Sequence, residues 1–147
     1  MQKDEGTYAG TKSGFRMPPG YFSGSIGLIS TARDFLHFQE MFLNRGILFG
    51  KQILEESSVA LMSDNRMDIP YVSKSGRDGL GFGYTVEVTL DPEQANSPRS
   101  AGTFGWGGAF GTMSWTEPKE DLTVVIMVQK LTEDLHDEIA KAIHAAI

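Results

Sequence analysis

The chain has 147 residues, of which 40% are hydrophobic and 22% charged, with a net charge of −6. That size and balance predict one globular domain over residues 1–147 with a core of its own. The acidic balance without a Lys/Arg cluster argues against nucleic acid or an anionic membrane surface as partner, and the lack of cysteine excludes disulfides, Cys-ligated metals and a thiol nucleophile.

Residues 1–24 are rich in Gly, Ser, Thr and Pro without steady periodicity, and read as a loop-like lead-in. No apolar run reaches the length of a membrane span, and the first five residues carry no signal-peptide core. Thr31 followed by Asp34 predicts a capping box, with an acid where Glu or Gln is commoner. Phe35, Phe38 and Phe42 then fall on one helical face, a core stripe, and Asn44-Arg45-Gly46 is a helix stop with glycine in the left-handed position. Residues 47–54 predict a small hairpin or pair of turns around Gly50-Lys51. Residues 55–63 predict a short helix with Val59 and Met62 inward.

From Gly79 the pattern changes to alternation. Phe82, Tyr84, Val86, Val88 and Leu90 alternate with Gly83, Thr85, Glu87 and Thr89, which predicts one strand with Tyr84 in the core. Gly79-Leu-Gly-Phe-Gly83 opens a strand instead of joining strand to helix, so it is no dinucleotide fingerprint; it predicts close backbone packing beside the next strand. That next stretch, residues 103–112, holds four glycines and Trp106 in ten residues. Such a run is either a Gly-rich hairpin whose tryptophan packs inward, or a place where bare backbone N–H groups meet a ligand or a developing oxyanion. Residues 113–116 predict a further strand. The β-branched run 122–128 predicts a strand covered on both faces. Leu131, Leu135, Ile139, Ile143 and Ile147 recur every four residues in a C-terminal helix, with acids at its start and Lys141 late, as the helix dipole favours. His37, His136 and His144 read as solvated surface residues with no metal-ligand spacing, and the acids at 133–138 as a solvated face. The expected class is α+β: an antiparallel sheet of about four strands with flanking helices, the last helix packed on the sheet.

One ordered series of motifs carries a resemblance. It runs from Gly-Leu-Ile-Ser-Thr-Ala-Arg-Asp-Phe at 27–35 through a Phe-rich helix ending Asn-Arg-Gly, and Ile53-Leu54 before a Val-Ala-Leu-Met helix. Gly-Leu-Gly-Phe-Gly at 79–83, Gly-Trp-Gly-Gly-Ala at 105–109 and Glu-Pro-Lys-Glu-Asp-Leu before a strand complete it. Over about residues 20–145 the chain resembles the C-terminal part of the serine β-lactamase-like hydrolases, which join class C β-lactamases, DD-peptidases and β-lactamase-fold esterases. The esterase-like branch is the closest fit, with Trp-Gly-Gly standing where others carry Lys-Thr-Gly.

The resemblance implies a partial β-lactamase/transpeptidase-like fold and acyl transfer through an acyl-serine, with no cofactor and no metal. Trp106, Gly107 and Gly108 match the third motif beside the substrate, and the Ala109 backbone N–H matches one of two oxyanion-hole donors. A neutral indole where many relatives carry a cation favours small neutral acyl substrates such as esters over a penicillin carboxylate, because indole cannot supply the charge-assisted bond.

The family's nucleophile belongs to a Ser-x-x-Lys motif. No serine in the chain has lysine three residues on. Thr116-Glu117-Pro118-Lys119 places a threonine before a turn, Tyr21-Phe22-Ser23 and Tyr71-Val72-Ser73 are misplaced copies of the second motif, and Ser63-Asp64-Asn65 ends a helix. The chain therefore reads as the carboxyl-terminal portion of such an enzyme without its nucleophile. The alternative is a non-catalytic binding or interaction module derived from the same fold. By itself such a portion leaves a sheet edge and a domain face uncovered, which predicts a homodimer or aggregate.

Overall fold

The computed structural model describes residues 30–67, 77–129 and 134–147. The lead-in, the Gly24-to-Ile29 approach to the first helix, both Tyr-x-Ser sequences, Leu131 and Glu133 lie outside the described residues.

Helix α1 (Ala32–Leu43) starts as its cap dictates. The Asp34 N–H donates to Thr31 Oγ1 at 3.1 Å, and the Thr31 hydroxyl donates to the Asp34 carboxylate at 2.9 Å. It ends at Gly46, φ +93°, whose N–H reaches back to the Met41 carbonyl. Strands β1 (Ile47–Leu48) and β2 (Lys51–Gln52) form the small hairpin, and helix α2 (Glu56–Ser63) follows with Val59 buried.

Among the described residues the main sheet has five strands in sequential antiparallel order, β3 (Leu80–Phe82), β4 (Glu87–Thr89), β5 (Phe104–Gly107), β6 (Met113–Glu117) and β7 (Leu122–Ile126). The strand expected across residues 79–90 is thus two, joined by a turn at Gly83, whose N–H donates to the Val86 carbonyl at 2.8 Å. Tyr84 sits in that turn at 67% exposure, not in the core. The alternation misled because apolar residues continue at even positions through the turn. A Cβ on Gly83 would meet the Met62 carbonyl, and one on Gly81 would lie 2.6 Å from the Asn65 side chain. Gly81 and Gly83 therefore admit the end of α2 and Gly79 the 91–95 loop, not the Trp106 strand, and Asn65 and Arg66 bond along the outer edge of β3 through Phe82.

Cross-strand partners share a face, so the register sorts the sheet into two cores. On one face Phe104 and Val88 pack with Met41 and Phe42 of α1 and with Val59. Phe38, expected beside Phe42 in the core, is 45% exposed and touches Phe42 only edge-on. Gln39 is the buried residue of that turn. Its amide donates to Ser114 Oγ and accepts from the Thr116 hydroxyl, both at 2.8 Å, so a polar pair of strand residues is fully met by one helix side chain.

On the other face Trp115 and Ile126 pack beneath helix α3 (Leu135–His144), whose Ala140 is completely buried. Strand β7 is a sheet edge among the described residues and half-buried along most of its length, so it is less covered there than its β-branched run suggested. No described helix is long and apolar enough to cross a membrane.

Candidate functional site

Strand β5 is held asymmetrically. Its pairing with β4 stops at Glu87–Gly105, while its pairing with β6 continues through Trp106–Ser114 and Gly107–Met113. Beyond Gly105, then, one edge of β5 has no strand partner among the described residues. Gly105 is glycine because a Cβ there would press on the Ser114 carbonyl and lie 2.7 Å from Trp115 Cα. Trp106 is 51% exposed, its ring edge-on to Phe82 at 5.0 Å. Of the two readings of the Gly/Trp stretch, an inward-packed tryptophan is excluded; the buried tryptophan is Trp115.

The β5–β6 loop is a tight turn. The Gly108 N–H donates to the Thr112 carbonyl at 2.7 Å, and the Gly111 N–H donates to the Gly108 carbonyl at 3.1 Å. Neither Ala109 nor Phe110 has positive φ, as in a type I turn, and Gly111 follows at φ +99°. The first central residue of the turn is Ala109, and its N–H has no acceptor among the described residues. The structure thus brings Trp106, Gly107, Gly108 and Ala109 together at the open end of β5.

Helix α3 supports this hairpin from behind. His136 Nε2 lies 2.8 Å from the Gly111 carbonyl oxygen, and His144 Nε2 lies 3.2 Å from Glu117 Oε2. Neither histidine is the solvated surface residue its sequence context suggested. Both are half-buried, because the helix face that buries Ala140 repeats every four residues and carries them with it. Asp137, expected on a solvated face, is half-exposed and pairs with Arg99 at 3.7 Å. Arg99 itself lies over the Trp115 ring at 4.5 Å.

Ser100, Glu117 and His144 are the residue types of a hydrolytic triad, but their bonding is wrong for one. Fully buried Glu117 accepts from the Ser100 backbone N–H at 2.5 Å, and the Ser100 hydroxyl has no partner among the described residues. Ser114 is committed to Gln39. No described group of His, Asp and Glu is arranged to hold a metal ion.

Glu87 stands opposite Gly105 beside a small cavity that Arg99 and Trp115 also line. Burial raises its carboxyl above the ordinary carboxylate range, against the lowering pull of Arg77, 2.6 Å away, and of Arg99. Burial likewise lowers the Arg99 guanidinium, opposed by Asp137, Glu87 and Glu117. Because the folded-state pKa of Glu87 exceeds its unfolded value, its contribution to stability is full below the unfolded pKa and is lost as pH rises through the folded one. The melting temperature of the parent should therefore fall relative to Glu87→Gln as pH rises above the ordinary Glu value of about 4.3. A pH-independent difference in thermal unfolding would show that the desolvation of Glu87 does not outweigh its arginines.

The fold has relatives. The sequence matches the Beta-lactamase family over residues 1–147. It is 34% identical over 120 residues to Protein Rv1367c of Mycobacterium tuberculosis (strain ATCC 25618 / H37Rv), covering 76% of this chain and 30% of that protein. It is 30% identical over 132 residues to Esterase EstB of Burkholderia gladioli, covering 88% of this chain and 31% of EstB. Among solved structures, EstCE1, a hydrolase with promiscuous acyltransferase activity, superposes with a TM-score of 0.64 at 25% identity, over 77% of this chain and 29% of EstCE1. The chain spans about 30% of the length of the curated relatives it matches. With a match along its entire length and the α+β fold of a hydrolase relative, the chain belongs to the Beta-lactamase family.

Proposed function

We propose that these residues form the carboxyl-terminal part of a serine hydrolase that transfers acyl groups through an acyl-serine, with neutral esters as the preferred substrates. The observation that carries this reading is the Ala109 N–H, without an acceptor among the described residues, at the end of a strand whose edge from Trp106 onward has no strand partner among them. In the reaction, a serine oxygen attacks the ester carbonyl and the carbonyl oxygen takes up negative charge. Ala109 N–H donates to that oxyanion; the intermediate collapses to an acyl-serine as the alcohol leaves with a proton, and water then releases the acid. Gly107 and Gly108 keep side chains away from the strand end, so substrate can approach the backbone. Trp106 walls the acyl pocket and brings no cation. The esterase and acyltransferase activities named for EstB and EstCE1 support this reaction class. The nucleophile and its base come from a Ser-x-x-Lys segment outside the 147 residues, since none of their serines has the required lysine.

The test is hydrolysis of p-nitrophenyl butyrate and a chromogenic cephalosporin, with a fluorophosphonate label read by intact mass. The 147-residue chain should give neither turnover nor label; a chain that also carries the Ser-x-x-Lys segment should give ester turnover and one label. A labelled serine within the 147 residues would overturn the assignment of the nucleophile. Persistent inactivity of the longer chain would favour the binding-module reading.

In the longer chain with the Ser-x-x-Lys segment, Trp106→Ala should change the preference among p-nitrophenyl esters of different acyl length while the melting temperature stays near that of the parent, because the ring is half-exposed. An unchanged preference removes Trp106 from the pocket.

A further inference from the structure

We propose that His136 is a positioning residue for the Ala109 amide, an inference that rests on the acyl-transfer reading. A carbonyl oxygen can only accept, so the 2.8 Å contact with Gly111 requires the proton on His136 Nε2. The bond therefore fixes the tautomer, and it commits Nε2 to the protein instead of to a substrate.

Its effect is mechanical. Past the β5–β6 ladder, the Gly108–Gly111 turn is held by two backbone bonds of its own, Gly108 N–H to Thr112 and Gly111 N–H to Gly108. Neither bond ties the turn to the body of the fold. Among the described residues the Gly111 carbonyl does, through His136. Helix α3 is a firm anchor for it, since Ala140 is buried against the Trp115 cluster, and Asp137 and His144 pair with Arg99 and Glu117. Residues 136, 140 and 144 lie on one helix face, so the bond at Gly111 is the first of three attachments along that face. Without it the turn can rock about the ends of β5 and β6, carrying the Ala109 N–H away from the oxyanion. A donor must sit 2.7–3.1 Å from the developing charge, and a displacement of about 1 Å costs about 100-fold in rate.

The experiment uses the active chain with its Ser-x-x-Lys segment and p-nitrophenyl butyrate as substrate. His136→Phe keeps a ring without the donor; His136→Gln keeps an N–H donor; His136→Leu is a second donor-free variant should the phenylalanine disturb packing. Folding of each is checked by thermal unfolding before kinetics. His136→Phe should lower kcat about 10- to 100-fold with KM within about threefold, and His136→Gln should recover most of it. In an Ala109→Pro background, where the amide proton is gone, His136→Phe should have almost no further effect on kcat. An unchanged kcat in the donor-free variants, an equal loss in His136→Gln, or an undiminished loss in the Ala109→Pro background overturns the inference. Lack of turnover in the unsubstituted chain is a different failure, and it removes the acyl-transfer reading beneath it.

Discussion

In the active chain that carries the Ser-x-x-Lys segment, Ala109→Pro should lower kcat for ester hydrolysis about 100- to 1,000-fold while leaving the fold intact. The factor is that of losing one oxyanion donor. Proline is the substitution that isolates the donor, because Ala109 occupies the first central position of a type I turn, where φ near −65° is already required. Its N–H makes no bond to the described protein, so deleting it breaks nothing there. Gly108 before it does not have positive φ, which suits a residue that precedes proline. Ala109→Ser, which keeps the N–H, should stay within a few-fold of the parent. The check is kcat and KM for p-nitrophenyl butyrate beside a thermal unfolding curve. Full activity in Ala109→Pro would mean that the oxyanion is stabilised elsewhere.

Trp115→Ala should destabilise the chain by about 3–5 kcal/mol, the usual cost of emptying a large aromatic site in a core. Trp115 is 1% exposed and is the largest side chain between the sheet and α3. Its loss also removes the surface on which Arg99 lies, and Arg99 links the 91–102 loop to Asp137 of the helix. Total stabilities of about 5–15 kcal/mol are typical, so this variant should unfold at a much lower urea concentration. Trp115→Phe separates volume from polarity. The indole N–H has no partner among the described residues, so phenylalanine sacrifices no protein hydrogen bond and should cost far less. Urea unfolding of both variants decides the matter: a loss below about 1 kcal/mol in Trp115→Ala would mean that α3 is not held by this cluster.

The catalytic and structural predictions meet at β5. Gly105 lets Trp115 come up against the strand from one side, and the neighbouring Trp106 stays half-exposed. Alternation along one strand thus separates a residue that supports the fold from one that faces substrate in the proposed site. It also explains why a Gly-rich strand survives in a sheet: β6 and the α3 cluster supply the packing that its own residues lack.

Local chemistry was legible from the amino-acid sequence alone. The Thr31 cap, the Gly46 stop, the hairpin at Gly50 and the C-terminal helix depend on residues within a turn or two of one another. The motif order from the 27–35 segment to Glu-Pro-Lys-Glu-Asp-Leu was enough to indicate the family. What only the tertiary structure decided depends on partners far apart in the chain. Gln39 reads as an ordinary polar helix residue until Ser114 and Thr116, 75 and 77 positions away, bond both ends of its amide. His136 and His144 read as solvated until the sheet beneath Ala140 draws their helix face against Gly111 and Glu117. Tyr84 reads as core because hydrophobic alternation has no term for a turn that reverses the strand at Gly83. Backbone propensity acts over a few residues, whereas burial and polar pairing are set by which distant surfaces the folded chain brings into contact.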